Sequence, residues 1–212
     1  MGWEEQLSFV RDALGPKLKE TGLKTKIYAF DHNYNYDNML EQQGYPMKIY
    51  EDENAASFLT GAAYHNYGGD REELNNVNGK FPDKELIFTE TSIGMWNDGR
   101  NLEKRLMEDM EETALGTVNN WCKAVIVWNL MLDNERGPNR EGGCQTCYGA
   151  VDIDRSDYKT ITRNSHYYII GHLSSVVKPG AVRIGSKGIR LMGLCIPPSS
   201  GRSELNLLIA FR

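Results

Sequence analysis

The sequence predicts an α/β fold with a parallel sheet buried on both faces, followed by a short antiparallel β segment. Three observations carry this. Short apolar runs at 26–30, 60–64, 85–89 and 124–127 alternate with stretches of helical periodicity. Each run ends in polar or aromatic residues, and continuous apolar strands of this kind belong to sheets covered on both faces. After Asn164 the pattern changes to shorter strand-like pieces separated by turn signals.

The first element places Leu7, Val10, Leu14 and Leu18 on one helical face between Trp3 and Leu18, with an interruption expected near Gly15-Pro16 and a stop at Gly22. A strand through Lys26-Ile27-Tyr28-Ala29-Phe30 runs into the polar cluster Asp31-His32-Asn33. Asp52 can cap a helix through Ala55 and Phe58. The small-residue strand Thr60-Gly61-Ala62-Ala63-Tyr64 then ends in His65-Asn66-Tyr67. A helical patch near Leu74 leads to Glu85-Leu86-Ile87-Phe88-Thr89, closed by Glu90. Leu102, Leu106, Met110, Ala114 and Val118 step along the face of the longest expected helix, and Ala124-Val125-Ile126-Val127 delivers Trp128-Asn129. A helix through Tyr168 and Leu173 precedes strand-like pieces at 181–184, 189–196 and 205–211, with turns at Lys187-Gly188 and 197–201.

A (β/α)8 barrel builds its active site at such strand ends. An open doubly wound sheet shares the grammar, but no GxGxxG or P-loop marks a nucleotide crevice.

The bulk numbers are those of a globular protein: 212 residues, 40% hydrophobic, net charge -5. They give no electrostatic reason to expect nucleic acid or an anionic membrane. No apolar run is long enough for a membrane-spanning helix, and the first ten residues do not read as a signal peptide. Four cysteines are too few for a disulfide-built scaffold. Cys122 and Cys195 read as buried thiols. Cys144 and Cys147 have metal-ligand spacing without a second pair, and a loop-pinning disulfide is preferred over zinc if the protein is exported.

Glu90 is poorly placed for core packing and well placed for a pocket, as a nucleophile or a general acid or base. The bland alternative is a glutamate that caps the next helix or pairs with a lysine. His65 and Tyr67 share one strand face, and with Trp128 and Asn129 they offer an aromatic wall and hydrogen-bonding groups that suit a sugar. Singly, a Trp after three apolar residues is more often core. His166 and His172 are expected to pack on their helix.

The segments GAAYHNY, FTETS, VIVWNLMLDNERGPN and SHYYIIGHLSSVVKPGAVRIGS, in this order, resemble glycoside hydrolase family 30, which includes glucosylceramidases and microbial β-1,6-glucanases. The resemblance runs from Met1 to the C-terminus. It implies the C-terminal half of a (β/α)8 TIM barrel, strands five to eight over residues 1–178, followed by the beginning of an antiparallel β-sandwich over 179–212. Glu90 falls on the family's nucleophile. Asp31, His65, Tyr67, Trp128 and Asn129 fall on substrate-binding positions.

The family's acid/base Glu lies in an Asn-Glu-Pro motif that does not occur here, and Met1-Gly2-Trp3 aligns just beyond it. A partner half-barrel is therefore expected upstream, and this chain alone is expected to be inactive. The resemblance further implies a retaining β-glycoside hydrolase without metal or organic cofactor, in a secreted, periplasmic or lysosomal setting. Its substrate would be β-1,6-glucan first and a β-glucosyl lipid second. The loop Gly142-Gly143-Cys144-Gln145-Thr146-Cys147 is similar to that of the β-1,6-glucanases. The alternative reading is a non-catalytic sugar-binding remnant or a partial reading frame.

Overall fold

The computed structural model describes residues 1–35, 39–181, 189–191 and 194–196. Two compact units emerge: Met1–Thr89 with Asn119–Ala124, and the described residues of Glu90–Val118 with Val125–Arg212.

In the first unit, α1 (Trp3–Phe9) continues through a π turn (Val10–Leu14) into α2 (Gly15–Thr21). The expected break at Gly15-Pro16 does not occur. Pro16 lacks the N–H that an α-helix would aim one turn back, and the wider turn upstream absorbs that missing donor. Gly15 is needed for another reason: a Cβ there would lie 2.2 Å from Cγ of Phe58. Gly22 ends the helix with φ 69°, as its position in the sequence suggested.

β1 (Tyr28–Asn33) is followed by α3 (Tyr45–Tyr50), α4 (Glu53–Phe58), β2 (Gly61–His65), α5 (Glu72–Lys80) and β3 (Glu85–Glu90). Asp52 caps α4, its carboxylate accepting from the Ala55 amide at 2.9 Å. Then come β4 (Ile93–Gly94), α6 (Leu102–Asp109), α7 (Gly116–Val118) and β5 (Cys122–Val125).

The main sheet has the order β1-β2-β3-β5, and β1 pairs with β2 in parallel, Tyr28 opposite Gly61 and Ala29 opposite Ala62. The strands approach so closely that a Cβ on Gly61 would fall 1.7 Å from the Glu85 carbonyl oxygen. Ala29, Ala62, Ala63, Tyr64, Leu86 and Phe88 bury the sheet, with Ile49, Leu74 and Val77 from the helices. The sequence of strand, helix and strand is the α/β order expected.

The two ends of this sheet differ in chemistry. At the strand starts, Glu85 accepts from Tyr28 Oη at 2.6 Å, Lys26 Nζ at 2.9 Å and Lys123 Nζ at 3.2 Å. Burial would raise its pKa, but these donors outweigh burial and hold it down at about 2. Its partners are spent on one another, the arrangement of a stabilising end. The strand ends carry the candidate site.

Two boundaries differ from the sequence reading. β1 begins at Tyr28 and takes in Asp31-His32-Asn33, which were expected beyond the strand. β5 covers Cys122–Val125, so Ile126 and Val127 lie past it; the buried positions are Cys122 and Val125, while Ile126 is exposed.

In the second unit, α6 passes through a π turn (Met110–Leu115) into α7. The buried positions include Arg105, Asp109, Thr113 and Ala114, whereas Leu102, expected on the buried face, is exposed. The hydrogen bonds there offset part of the cost of burying polar groups: Arg105 donates to Asp109, and Ser165 Oγ donates to the same carboxylate. Four short strands follow, β6 (Met131–Asp133), β7 (Cys147–Tyr148), β8 (Val151–Ile153) and β9 (Ile161–Arg163). β8 lies between parallel β6 and antiparallel β9, and β7 pairs antiparallel with β4. None was anticipated, because two or three residues are too few to show a period.

α8 (Ser165–Val176) buries His166, while His172, expected to pack, is exposed. Beyond it, β10 (Ile189–Leu191) and β11 (Leu194–Ile196) form an antiparallel pair. All but Ala181 of the expected strand at 181–184 lies outside the described residues, as do the expected strand at 205–211, both expected turns and the burial of Cys195. Cys122 is buried, as expected. Among the described residues, no helix is long and apolar enough to cross a membrane.

Candidate active site

The end of β1 is built around a bulge. Phe30 pairs with Ala63 and His32 with Tyr64, so Asp31 is the extra residue between them. Phe30 and Asp31 both have positive φ, 77° and 59°. For a residue as bulky as Phe this is a costly conformation, sustained by its surroundings. Its amide donates to Gln6 Oε1 at 2.9 Å, and its ring packs against Tyr45 and Tyr64.

The result is a redirected carboxylate. Asp31 Oδ1 lies 3.1 Å from His65 Nε2 and accepts from Thr89 Oγ1 at 2.7 Å. Three strand ends thus converge on one oxygen. The hydrogen bond from His65, with that from Thr89, holds the Asp31 carboxyl below the ordinary range against the opposing effect of burial. The Asp31 side chain is nonetheless 63% exposed, so it remains available to a ligand.

His65 stands edge-on to His32 and to Tyr67, with ring centroids 6.5 and 6.1 Å away. Burial, then the neighbouring His65, lowers the pKa of His32. Tyr67 is about half exposed.

Glu90 follows Thr89 as the last residue of β3 and is partly exposed. In the second unit, the Trp128 amide donates to the Thr91 carbonyl at 2.7 Å, and Trp128 bridges Ser92 in parallel. Trp128 is 46% exposed, not a core residue, and is joined to Asn129 by a cis peptide. The Asn129 carbonyl accepts from the Ala150 amide at 2.8 Å, while its buried Oδ1 has no hydrogen-bond partner.

Of the residues singled out in the sequence, Asp31, His65 and Tyr67 form one cluster, and Trp128 lies against the segment that follows Glu90. Thr89 was missed. Its signal was its place beside Glu90, but Thr in a strand is ordinary and nothing local shows that it reaches Asp31. Cys144 and Cys147 are joined by a disulfide. Among the described residues, no group of three His, Cys, Asp or Glu could hold a metal.

Residues 1–177 match the glycosyl hydrolase family 30 TIM-barrel domain. The chain is 30% identical over 190 residues to the endo-1,6-β-D-glucanase BGN16.3 of Trichoderma harzianum, covering 87% of this chain and 34% of that protein. It is 24% identical over 196 residues to the lysosomal acid glucosylceramidase of Mus musculus, covering 85% of this chain and 35% of that one. The solved structure of the endo-β1,6-glucanase BT3312 is 76% identical with a TM-score of 0.86, over 87% of this chain and 40% of that one. The chain thus spans about a third of the length of these curated relatives.

Proposed function

The chain belongs to glycoside hydrolase family 30, and from that membership we propose that it carries the nucleophile of a retaining β-glycosidase acting on β-1,6-linked glucan, with Glu90 in that role. The observation that carries the substrate class is the 76% identity to an endo-β1,6-glucanase over 87% of the chain. For the residue, the support is position: Glu90 closes β3 at the end of the sheet where Asp31, His65 and Thr89 converge.

In the first step a Glu90 carboxylate oxygen attacks the anomeric carbon as the bond to the leaving oxygen breaks. A carboxylic acid contributed from outside these 212 residues gives that oxygen its proton. In the second step the same group, now a carboxylate roughly 5 Å from Glu90, takes a proton from water, whose oxygen displaces Glu90 with net retention. Asp31 accepts hydrogen bonds from sugar hydroxyls, and its ties to His65 and Thr89 fix its direction beforehand, which lowers the ordering cost of binding. The family resemblance assigns Tyr67 and Trp128 to substrate binding, and each ring is about half exposed in its own unit.

The test is Glu90→Gln in the full-length polypeptide that contains these residues. Gln keeps the shape and removes the charge, so kcat and kcat/KM on β-1,6-glucan should fall together with the melting temperature unchanged. A capping glutamate would cost about 1 kcal/mol of stability and leave turnover intact. Retained activity would remove Glu90 from the chemistry.

A further inference from the structure

Three residues after Glu90, the chain enters a loop that the described contacts close on itself. β4 is held by β7, and the Met95 amide donates to the Thr146 carbonyl at 3.0 Å. Gly94 N–H donates to Asn97 Oδ1 at 2.9 Å, and Gly99 N–H donates to the Gly94 carbonyl at 3.0 Å. Asp98 turns the chain with φ 53°. A Cβ on Gly94 would lie 1.9 Å from Trp96 Cζ3 and 2.5 Å from the Thr146 oxygen. The indole therefore rests directly on the backbone of its own loop, while the Cys144–Cys147 disulfide fastens the segment opposite.

A loop this closely tied would be expected to hide its apolar residues, yet Met95 and Trp96 are each 55% exposed. Beside them is an open depression of about 290 Å³ lined by Met95, Asp98, Gly99, Arg100, Asn101 and Tyr148. Arg100 lies 4.1 Å over the Tyr148 ring and donates to buried Asp152 at 3.0 and 3.2 Å. Asp98 is paired with Lys104 at 2.9 Å. Both charges facing the depression are thus answered by protein groups. That disfavours a phosphate or a cation and suits a neutral ligand with apolar faces and hydroxyl rims.

We propose that Trp96 and this depression form an accessory subsite for a β-glucosyl unit of the glucan chain. Trp96 supplies the stacking face, and Asp98, Arg100 and Asn101 meet the hydroxyls. The assignment rests on the glucan reading given under Proposed function. This loop, fixed before the ligand arrives, grips one glucosyl unit.

Affinity electrophoresis through a gel containing soluble β-1,6-glucan tests this in the full-length polypeptide carrying Glu90→Gln. That background is meant to keep the glucan intact, and a separate assay of reducing ends separates the two readings: hydrolysis by Glu90→Gln would sink the nucleophile assignment, whereas retardation reads binding. Adding Trp96→Ala should weaken the apparent affinity about tenfold or more, as truncating an aromatic anchor does. Trp96→Phe should recover part of that loss, and Tyr158→Ala, at another exposed aromatic, should have no effect. Overturning results are Trp96→Ala binding as its parent does, no retardation of the parent, or Tyr158→Ala losing as much as Trp96→Ala. Should Trp96→Ala fail to fold, 5-fluorotryptophan at position 96 decides. Its fluorine resonance should move on saturation with a β-1,6-gluco-oligosaccharide, and its constancy would overturn the proposal.

Discussion

The Asp31 carboxylate accepts a hydrogen bond from the Thr89 hydroxyl at 2.7 Å, which ties the residue immediately before Glu90 to the bulged end of β1. Thr89→Val removes the hydroxyl and keeps the shape. Asp31 then loses one of the two donors that hold its pKa down, so that pKa should rise. The sign for stability follows from the depressed folded value: the contribution is present above the unfolded pKa and is lost as pH falls through the folded one. Carboxyl-carbon NMR across an acid titration reads the shift. The stability cost at neutral pH should be small, about 0.5–1 kcal/mol, because the carboxylate is largely exposed. An unmoved Asp31 titration in Thr89→Val would show that the hydroxyl does not serve it.

A second pair, in the second unit, gives a prediction about acid stability. His166 is almost wholly buried, both its ring nitrogens lack hydrogen-bond partners, and Asp109 Oδ2 is 3.9 Å from Nε2. Burial, helped by the charge of Arg105, drives the His166 pKa down to about 3. Between pH 6.5 and 3 the unfolded chain takes up a proton that the folded one refuses, so stability falls as pH drops. By pH 4.5 the loss should be on the order of 2–3 kcal/mol. Asp109 acts in the opposite sense, since burial raises its pKa and its contribution is lost as pH rises through the folded value. Replacing His166 with Phe should flatten the fall below pH 6.5, as urea melts at several pH values would show. An unchanged slope would assign the acid sensitivity elsewhere.

The Trp96 loop gives a steric prediction. Gly94→Ala asks for a Cβ inside the contact distance of both a ring and a backbone oxygen, and only the ring can retreat. The cost should be about 1–3 kcal/mol, with a change in tryptophan emission as the indole is displaced. Gly79→Ala, where nothing lies within 4 Å of the added carbon, is the matched control and should not destabilise. Equal melts for the two variants would mean that the ring moves without resistance.

The α/β order was legible in the chain because buried strands and amphipathic helices write their own periods, and Gly22 and Asp52 mark ends that need only local chemistry. Long-range causes were not legible. Nothing in Ala29-Phe30-Asp31 announces a bulge, which depends on the register against Ala63 and Tyr64. The burial of Arg105 and Asp109 on α6 was not legible either, because a sequence does not show that Arg105 and Ser165 both donate to Asp109. Trp96 passed unnoticed because an exposed Trp and a core Trp look alike until Gly94 and Gly99 are seen to close the loop beneath it. Glu90 drew notice by its place at a strand end, and Thr89 beside it did not, since its partner lies 58 residues away.

The last prediction concerns the 212-residue chain by itself. It should hydrolyse nitrophenyl β-glucoside negligibly, although it contains Glu90, the proposed nucleophile. The family motif that carries the general acid does not occur in the sequence, and that group contributes about 100- to 10,000-fold. A nitrophenolate needs little protonation to leave, so this substrate gives the chain its best opportunity and the comparison its strictest form. Deglycosylation is no easier, because the same carboxylate must take the proton from water in the second step. Activity should appear only when the segment bearing that carboxylate is present, either fused upstream or supplied as a second polypeptide. Steady-state assays on the chain alone, on the fusion and on the fusion with Glu90→Gln decide the matter. Turnover by the isolated chain within tenfold of the fusion would mean that it carries its own acid and base, and that the division of labour proposed here is wrong.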